Sequence, residues 1–128
     1  MALKANVNDK GEPGIEPNDL ARAIVDIAEE KKSSNITLLD IRNVSVIADY
    51  FVICSGNSER QVKAIARGIE DELDKQEVGV RHREGLDQGR WVLLDYGDVI
   101  VHIFTTAERD YYRLEKLWSG AQTVLVIQ

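Results

Sequence analysis

The chain has 128 residues, with 16 Lys and Arg against 22 Asp and Glu and a formal net charge of −6. Its length suits one globular domain that can bury a core without disulfides or metal, and its acidity weighs against broad contact with nucleic-acid phosphates, favouring a basic protein as partner. The single cysteine, Cys54, cannot form an internal disulfide, and no signal-like segment or membrane-length apolar run is present, so we expect a reducing cytoplasm and no membrane.

Residues 1–16 are rich in Asn, Asp, Gly and Pro and read as a flexible N-terminal arm. From Pro17 a helix is expected, with Leu20, Ala21, Ile24, Ile27 and Ala28 on one side and Asp19, Arg22, Asp26, Glu29 and Lys32 facing water. Ser33-Ser34-Asn35 ends it. Ile36–Ile41 reads as a short strand, and Tyr50–Cys54 as a nearly all-apolar one of the kind covered on both faces. The segment between them, residues 42–49, fits neither periodicity. Ser55-Gly56-Asn57-Ser58 is a strand-to-helix turn, and Ser58 with Gln61 has capping-box spacing. The helix that follows carries Val62, Ile65, Ala66, Ile69 and Leu73 on one stripe as far as Lys75. Val78–Arg83 is a candidate third strand, followed by a loop with Gly85 and Gly89.

Trp91 to Phe104 reads as a β-hairpin around Asp95-Tyr96-Gly97-Asp98. With Tyr96 and Gly97 as loop residues, Asp95 would face Asp98, Leu93 would face Ile100, and Trp91 would face His102. Alternation then gathers Val92, Leu94, Val99, Val101 and Ile103 on an aliphatic face that belongs under helices. Trp91, Leu93, Asp95, Asp98, Ile100, His102 and Phe104 fall on a mixed face, whose composition is that of a protein-binding surface. Trp91 suits either a core or a partner contact. After the hairpin, Thr105 and Glu108 form a second capping-box spacing, predicting a helix over 107–118 with Tyr111, Leu114 and Trp118 on one side. Residues 119–128 form a C-terminal tail whose apolar run, Thr123–Ile127, suits an edge strand or a loose end.

Little points to chemistry. Asp95 and Asp98 flank a turn, where Asp commonly bonds nearby backbone, and no third group demands acid–base work of them. Cys54 ends an apolar strand and reads as a buried structural residue, while His82 and His102 lack the close ligands of a zinc site. Neither Ser55–Ser58 nor Gly85–Arg90 completes a phosphate-binding or dinucleotide motif. Tyr111, Tyr112 and Trp118 read as core rather than as a stacking platform.

Asp49 to Ser58, Arg60 to Ala66, Glu84-Gly85, Trp91 to Phe104 and Tyr112 to Trp118, in this order and spacing, resemble the ribosomal silencing factor family, also called Iojap-like or RsfS. The likeness covers about Asp19 to Trp118, within a domain of residues 17–118. It implies a single α/β domain of nucleotidyltransferase-like fold, with a mixed β-sheet and helices mainly on one face. It also implies a translation repressor that binds the large ribosomal subunit through its basic protein fourteen and blocks docking of the small subunit under nutrient limitation. Organelle members assist large-subunit assembly, and a homodimer is compatible with the family. On this reading Trp91, Leu93, Asp95, Asp98, Ile100 and His102 meet the partner, with little direct nucleic-acid contact, and no cofactor is needed. The enzymes of this fold place an Asp-x-Asp pair on the strand after the Gly-Ser turn; here Val80-Arg81-His82-Arg83 is basic instead, which removes the ligands for two-metal catalysis. A residual nucleotide site at Ser55–Ser58 and an assembly chaperone stand as alternatives.

Overall fold

Pro17 opens helix α1 (Pro17–Glu30), where its missing N–H would be unpaired anyway, and the helix buries Leu20, Ala21, Ile24, Val25, Ile27 and Ala28. Helix α2 (Glu59–Asp74) begins at the expected cap: the Ser58 hydroxyl accepts from the Gln61 N–H, and the Gln61 side chain accepts from the Asn57 N–H. Its buried stripe of Val62, Ile65, Ala66, Ile69 and Leu73 is the one its periodicity predicts. The computed structural model describes residues 6–7 and 13–128; the rest of the expected N-terminal arm lies outside these. Within that arm β1 (Asn6–Val7) pairs antiparallel with β2 (Pro13–Gly14).

The main sheet contains β3 (Ser34–Asp40), β4 (Tyr50–Gly56), β5 (His82–Glu84), β6 (Trp91–Asp95), β7 (Val99–Thr105) and β8 (Gln122–Ile127), in the order β5-β6-β7-β4-β3-β8. Only β4 and β7 pair in parallel; the other neighbours are antiparallel. The sheet is therefore mixed, as expected. Every residue of β4 is buried, as its unbroken apolar run requires.

Two cores result. Under α1 and α2 lie Ile36, Leu38, Val52, Cys54, Val92, Leu94, Val101 and Ile103. On the opposite face Leu39, Ile41, Phe51, Ile53, Ile100 and Phe104 pack with Leu114, Trp91 and Trp118. The third strand begins at His82, later than predicted, because Val78 and Val80 turn onto the helix-side core instead of entering the ladder. The expected helix over 107–118 is two short ones, α3 (Thr106–Tyr112) and α4 (Leu114–Leu117), separated by Arg113 in the left-handed region (φ 48°). The Thr105 cap forms as read, with its hydroxyl accepting from the Glu108 N–H.

The apolar tail is the edge strand β8, paired with β3 from Ile36↔Ile127 to Asp40↔Gln122. Val124, Leu125 and Ile127 lean on the helix-side core. Truncation after Ala121 should therefore lower unfolding stability by about 2–4 kcal/mol through lost apolar burial, and should raise hydrogen exchange in β3. Denaturant unfolding and amide exchange on the shortened chain check both.

Candidate partner-binding site

The hairpin turns one residue later than its sequence predicts. The ladder runs Trp91↔Phe104, Leu93↔His102 and Asp95↔Ile100, and the Tyr96 N–H donates to the Val99 carbonyl at 2.9 Å, leaving Gly97 and Asp98 as the loop. Two causes are visible. The Tyr96 ring is buried in the helix-side core, which carries the strand on past Asp95. The Asp95 carboxylate accepts from the Gly97 N–H at 2.7 Å, and Gly97 adopts φ +92°, where a side chain would be strained. The pairing moves by two residues, which preserves parity, so each side chain stays on its expected face. Asp95 is thus an acceptor for its own turn, and Asp98 is exposed at the tip beside Asp49. Burial, with Asp98 close by, raises the Asp49 carboxyl pKa.

The mixed face is only partly open. Ile100 and His102 are buried, His102 with 4 % exposure, so neither presents a free surface as the sequence reading expects. The cause is the segment after β7, which folds back over this face. Trp118 meets Phe51 edge-on at 5.2 Å, and Phe51 meets His102 at 4.6 Å. Trp91, Leu93 and Asp95 remain half-buried.

Trp91 is held on several sides. Its ring stacks on Phe104 at 4.8 Å and lies 4.8 Å from Tyr112, and its indole N–H donates to His102 Nδ1 at 3.2 Å. That bond places the imidazole proton on Nε2, which is buried with no partner among the described residues. Burial lowers the His102 pKa to about 4, so the ring is neutral and can accept from the indole.

From Trp91 the aromatic surface continues outward through Tyr112 to Tyr111, whose rings meet edge-on at 5.0 Å. Tyr111 is 79 % exposed and Leu117 73 %. Tyr111 and Tyr112 thus extend the open face and do not enter the core. What moved them is the break at Arg113, for which neither Gly nor Pro gives a sequence signal. Val44, Val46 and Ile47, in the segment that fitted no periodicity, are also exposed.

The Ser55-Gly56 turn is filled from within. Arg109 donates to Ser55 Oγ at 2.9 Å, Thr37 Oγ1 at 3.3 Å and Glu115 Oε1 at 2.6 Å, and also to the Asn35 carbonyl. A guanidinium has five N–H donors in a fixed fork, and here they serve the protein itself. The cleft beside it also contains Asp110, Arg113 and Lys116. In β5, His82, Arg83 and Glu84 replace any carboxylate pair, and Arg83 forms a two-pronged ion pair with Glu70. Among the described residues no group of three or more His, Cys, Asp or Glu is placed to hold a metal ion, and no helix is long and apolar enough to cross a membrane.

Residues 15–128 match the profile of the family described as ribosomal silencing factor during starvation, a match that runs past Trp118 and includes β8. The chain is 52 % identical over 93 residues to ribosomal silencing factor RsfS of Bacillus subtilis, covering 73 % of this chain and 79 % of that one. It is 45 % identical over 106 residues to RsfS of Halalkalibacterium halodurans, covering 83 % and 91 %. It is also similar, at 30 % identity over 119 residues, to the chloroplastic protein Iojap of Zea mays, of which it covers 52 %. A Chromobacterium violaceum protein of known crystal structure superposes with a TM-score of 0.80 at 33 % identity, with 87 % of this chain and 94 % of that one covered. One from Bacillus halodurans gives 0.75 at 42 %, with 84 % and 98 % covered. In sequence and in fold alike, the chain belongs to the ribosomal silencing factor family.

Proposed function

We propose that the protein is a cytoplasmic translation repressor that docks on the large ribosomal subunit and sterically prevents the small subunit from joining, notably when nutrients are scarce. Its contact is the open part of the mixed face, and its partner is the basic large-subunit protein fourteen. The observation that carries this reading is Trp91: half-buried, oriented by His102 and Phe104, and continuous through Tyr112 with exposed Tyr111. A rigid aromatic anchor with a polar edge is what a binding hot spot uses. Asp98 supplies an acidic rim that suits a basic partner.

Family membership and the names of the relatives support the silencing role. The mechanism is binding alone, with no enzymatic step and no cofactor. The internal pairing of Arg109 at the Ser55-Gly56 turn and the lack of a carboxylate pair on β5 argue against nucleotide transfer. Ile100 and His102 act from beneath, shaping Trp91 and Leu93 rather than touching the partner.

Order of addition tests the mechanism. Protein added to separated subunits should hold them apart, and protein added to joined ribosomes should do much less. Raising salt through and beyond physiological strength, where the screening length is about 8 Å, should weaken the effect, and Asp98→Lys should weaken it too. Equal inhibition in either order would place the action elsewhere on the ribosome. No inhibition, with large-subunit precursors accumulating in cells that lack the protein, would favour an assembly role.

Two substitutions separate anchor from core. Tyr111→Ala should leave stability within about 0.5 kcal/mol, as surface changes usually do, yet weaken binding to the large subunit. Trp91→Ala should cost about 2 kcal/mol or more of binding, with a smaller loss of fold stability. Unfolding and subunit binding measured on one preparation of each give the answer; a collapsed fold for Trp91→Ala with normal binding for Tyr111→Ala would exclude this face.

The neutral His102 adds a pH dependence. Its folded pKa of about 4 lies below the ordinary 6.5, so the unfolded chain takes up a proton first as pH falls. Stability held above about pH 6.5 is then lost progressively toward pH 4. His102→Gln, which keeps an acceptor for Trp91, should flatten stability between about pH 6.5 and 5, above the main carboxylate range. Urea unfolding across that window is the check.

A further inference from the structure

The net charge of −6 conceals a local excess of the opposite sign. Along the outer side of α2, Arg60 and Arg67 are exposed and Lys63 is half-exposed. At 100° and 1.5 Å per residue these three fall within an arc of about 60° and span about 10 Å. Among the described residues none of the three side chains has a hydrogen bond or an ion pair, whereas Arg42 is paired with Asp40, Arg83 with Glu70, Arg109 with Glu115, and Lys31 and Lys75 with Glu72. Three cations that repel one another stand together, with Glu59 beside them in a loose pair with Arg90 at 3.4 Å and Asp71 one turn beyond Arg67 but forming no ion pair with it.

The stripe reaches the edge of the partner face. The Lys63 stem packs so tightly on Gly89 that a Cβ there would meet its Cε at 2.8 Å. The next residues are Arg90 and Trp91, and the Arg90 carbonyl accepts from the Thr105 N–H at 2.9 Å, which fixes this corner to the end of β7. α2 covers the other face of the sheet, so the stripe adjoins the partner face only at this corner, and ribosomal RNA would reach it where it curves around the edge of the docked protein.

We propose that Arg60, Lys63 and Arg67 form a phosphate-contact stripe that lies along the backbone of ribosomal RNA when the protein is on the large subunit. This rests on the docking proposed above and adds a second, chemically different contact to it. An acidic protein suits the stripe less well. Protein hot spots are built on buried aromatic or apolar anchors, and the only apolar side chain in the shallow groove here is Ala64. Phosphate contacts need no such anchor; they require positive charge, position the protein, and read no sequence. The low total charge then has a use: with only one basic strip, the protein binds RNA poorly unless the protein contact has already placed it.

The test uses the full chain and isolated large subunits. Arg60→Gln/Lys63→Gln/Arg67→Gln should lower affinity about tenfold or more, and should flatten the dependence of log affinity on log salt by roughly 0.7–0.9 for each phosphate contact removed. Its binding to isolated large-subunit protein fourteen should stay unchanged, which shows that the fold and the Trp91 face survive. A photoreactive side chain at Ala64 should cross-link to RNA. Unchanged affinity and salt slope in the triple variant, or cross-linking at Ala64 to protein only, would overturn the proposal while the docking reading stood. Failure of the unaltered protein to bind large subunits at all would overturn both.

Discussion

β4 and β7 pair in parallel at the middle of the sheet and are apolar on both sides, so both faces of the sheet must be covered. Two helices cover one face. The other is left to the last part of the chain, and much else follows from that requirement. Residues 106–121 are too few for a second full helical layer, and they cover the face by bending. The left-handed Arg113 swings Leu114 inward and brings Glu115 to Arg109, six residues earlier, a separation that a straight helix would place on different sides. The cover is incomplete. Trp91, Tyr112 and Tyr111 stand at its margin, and the binding face is what the cover leaves open.

The same requirement explains which parts of the molecule were legible in the sequence. Period-two and period-3.6 patterns report burial on a known side, and they located α1, α2, β3, β4 and the two faces of the hairpin. Both capping boxes were readable because Ser58 and Thr105 act within a few residues of themselves. The turn register was not. It is decided by the burial of the Tyr96 ring beneath α2, a tertiary fact that outweighs the local preference for an Asp-flanked loop. The helix break at Arg113 was likewise hidden, since the turn brings Glu115 to Arg109, whose other partners Asn35, Thr37 and Ser55 are distant in the chain. For the candidate site, composition picked out Trp91 and its neighbours, but alternation gives only a face. It could not tell which part of the face the chain itself would occupy, and so Ile100 and His102 read as surface while Tyr111 read as core.

Two groups that could carry chemistry are held inside the fold. The Ser55-Gly56 turn is closed by the Arg109 guanidinium, whose donors serve the protein itself. Burial also raises the Cys54 thiol pKa to about 12, which keeps the one sulfhydryl protonated and inert.

The edge strand β8 has a consequence for how the molecule comes into being. Its ladder ties Ile127 to Ile36 across most of the chain, so the β3 edge stays unpaired throughout synthesis until residues near 127 have left the exit tunnel. Chains fold from the N-terminal side as they emerge, and contacts this distant in sequence form late. A nascent copy can assemble α1, β3 and β4 early, yet it carries an open apolar edge until β8 arrives. The sheet is complete only once β8 has emerged, and any copy cut short before it would keep a sticky edge in place of a finished one.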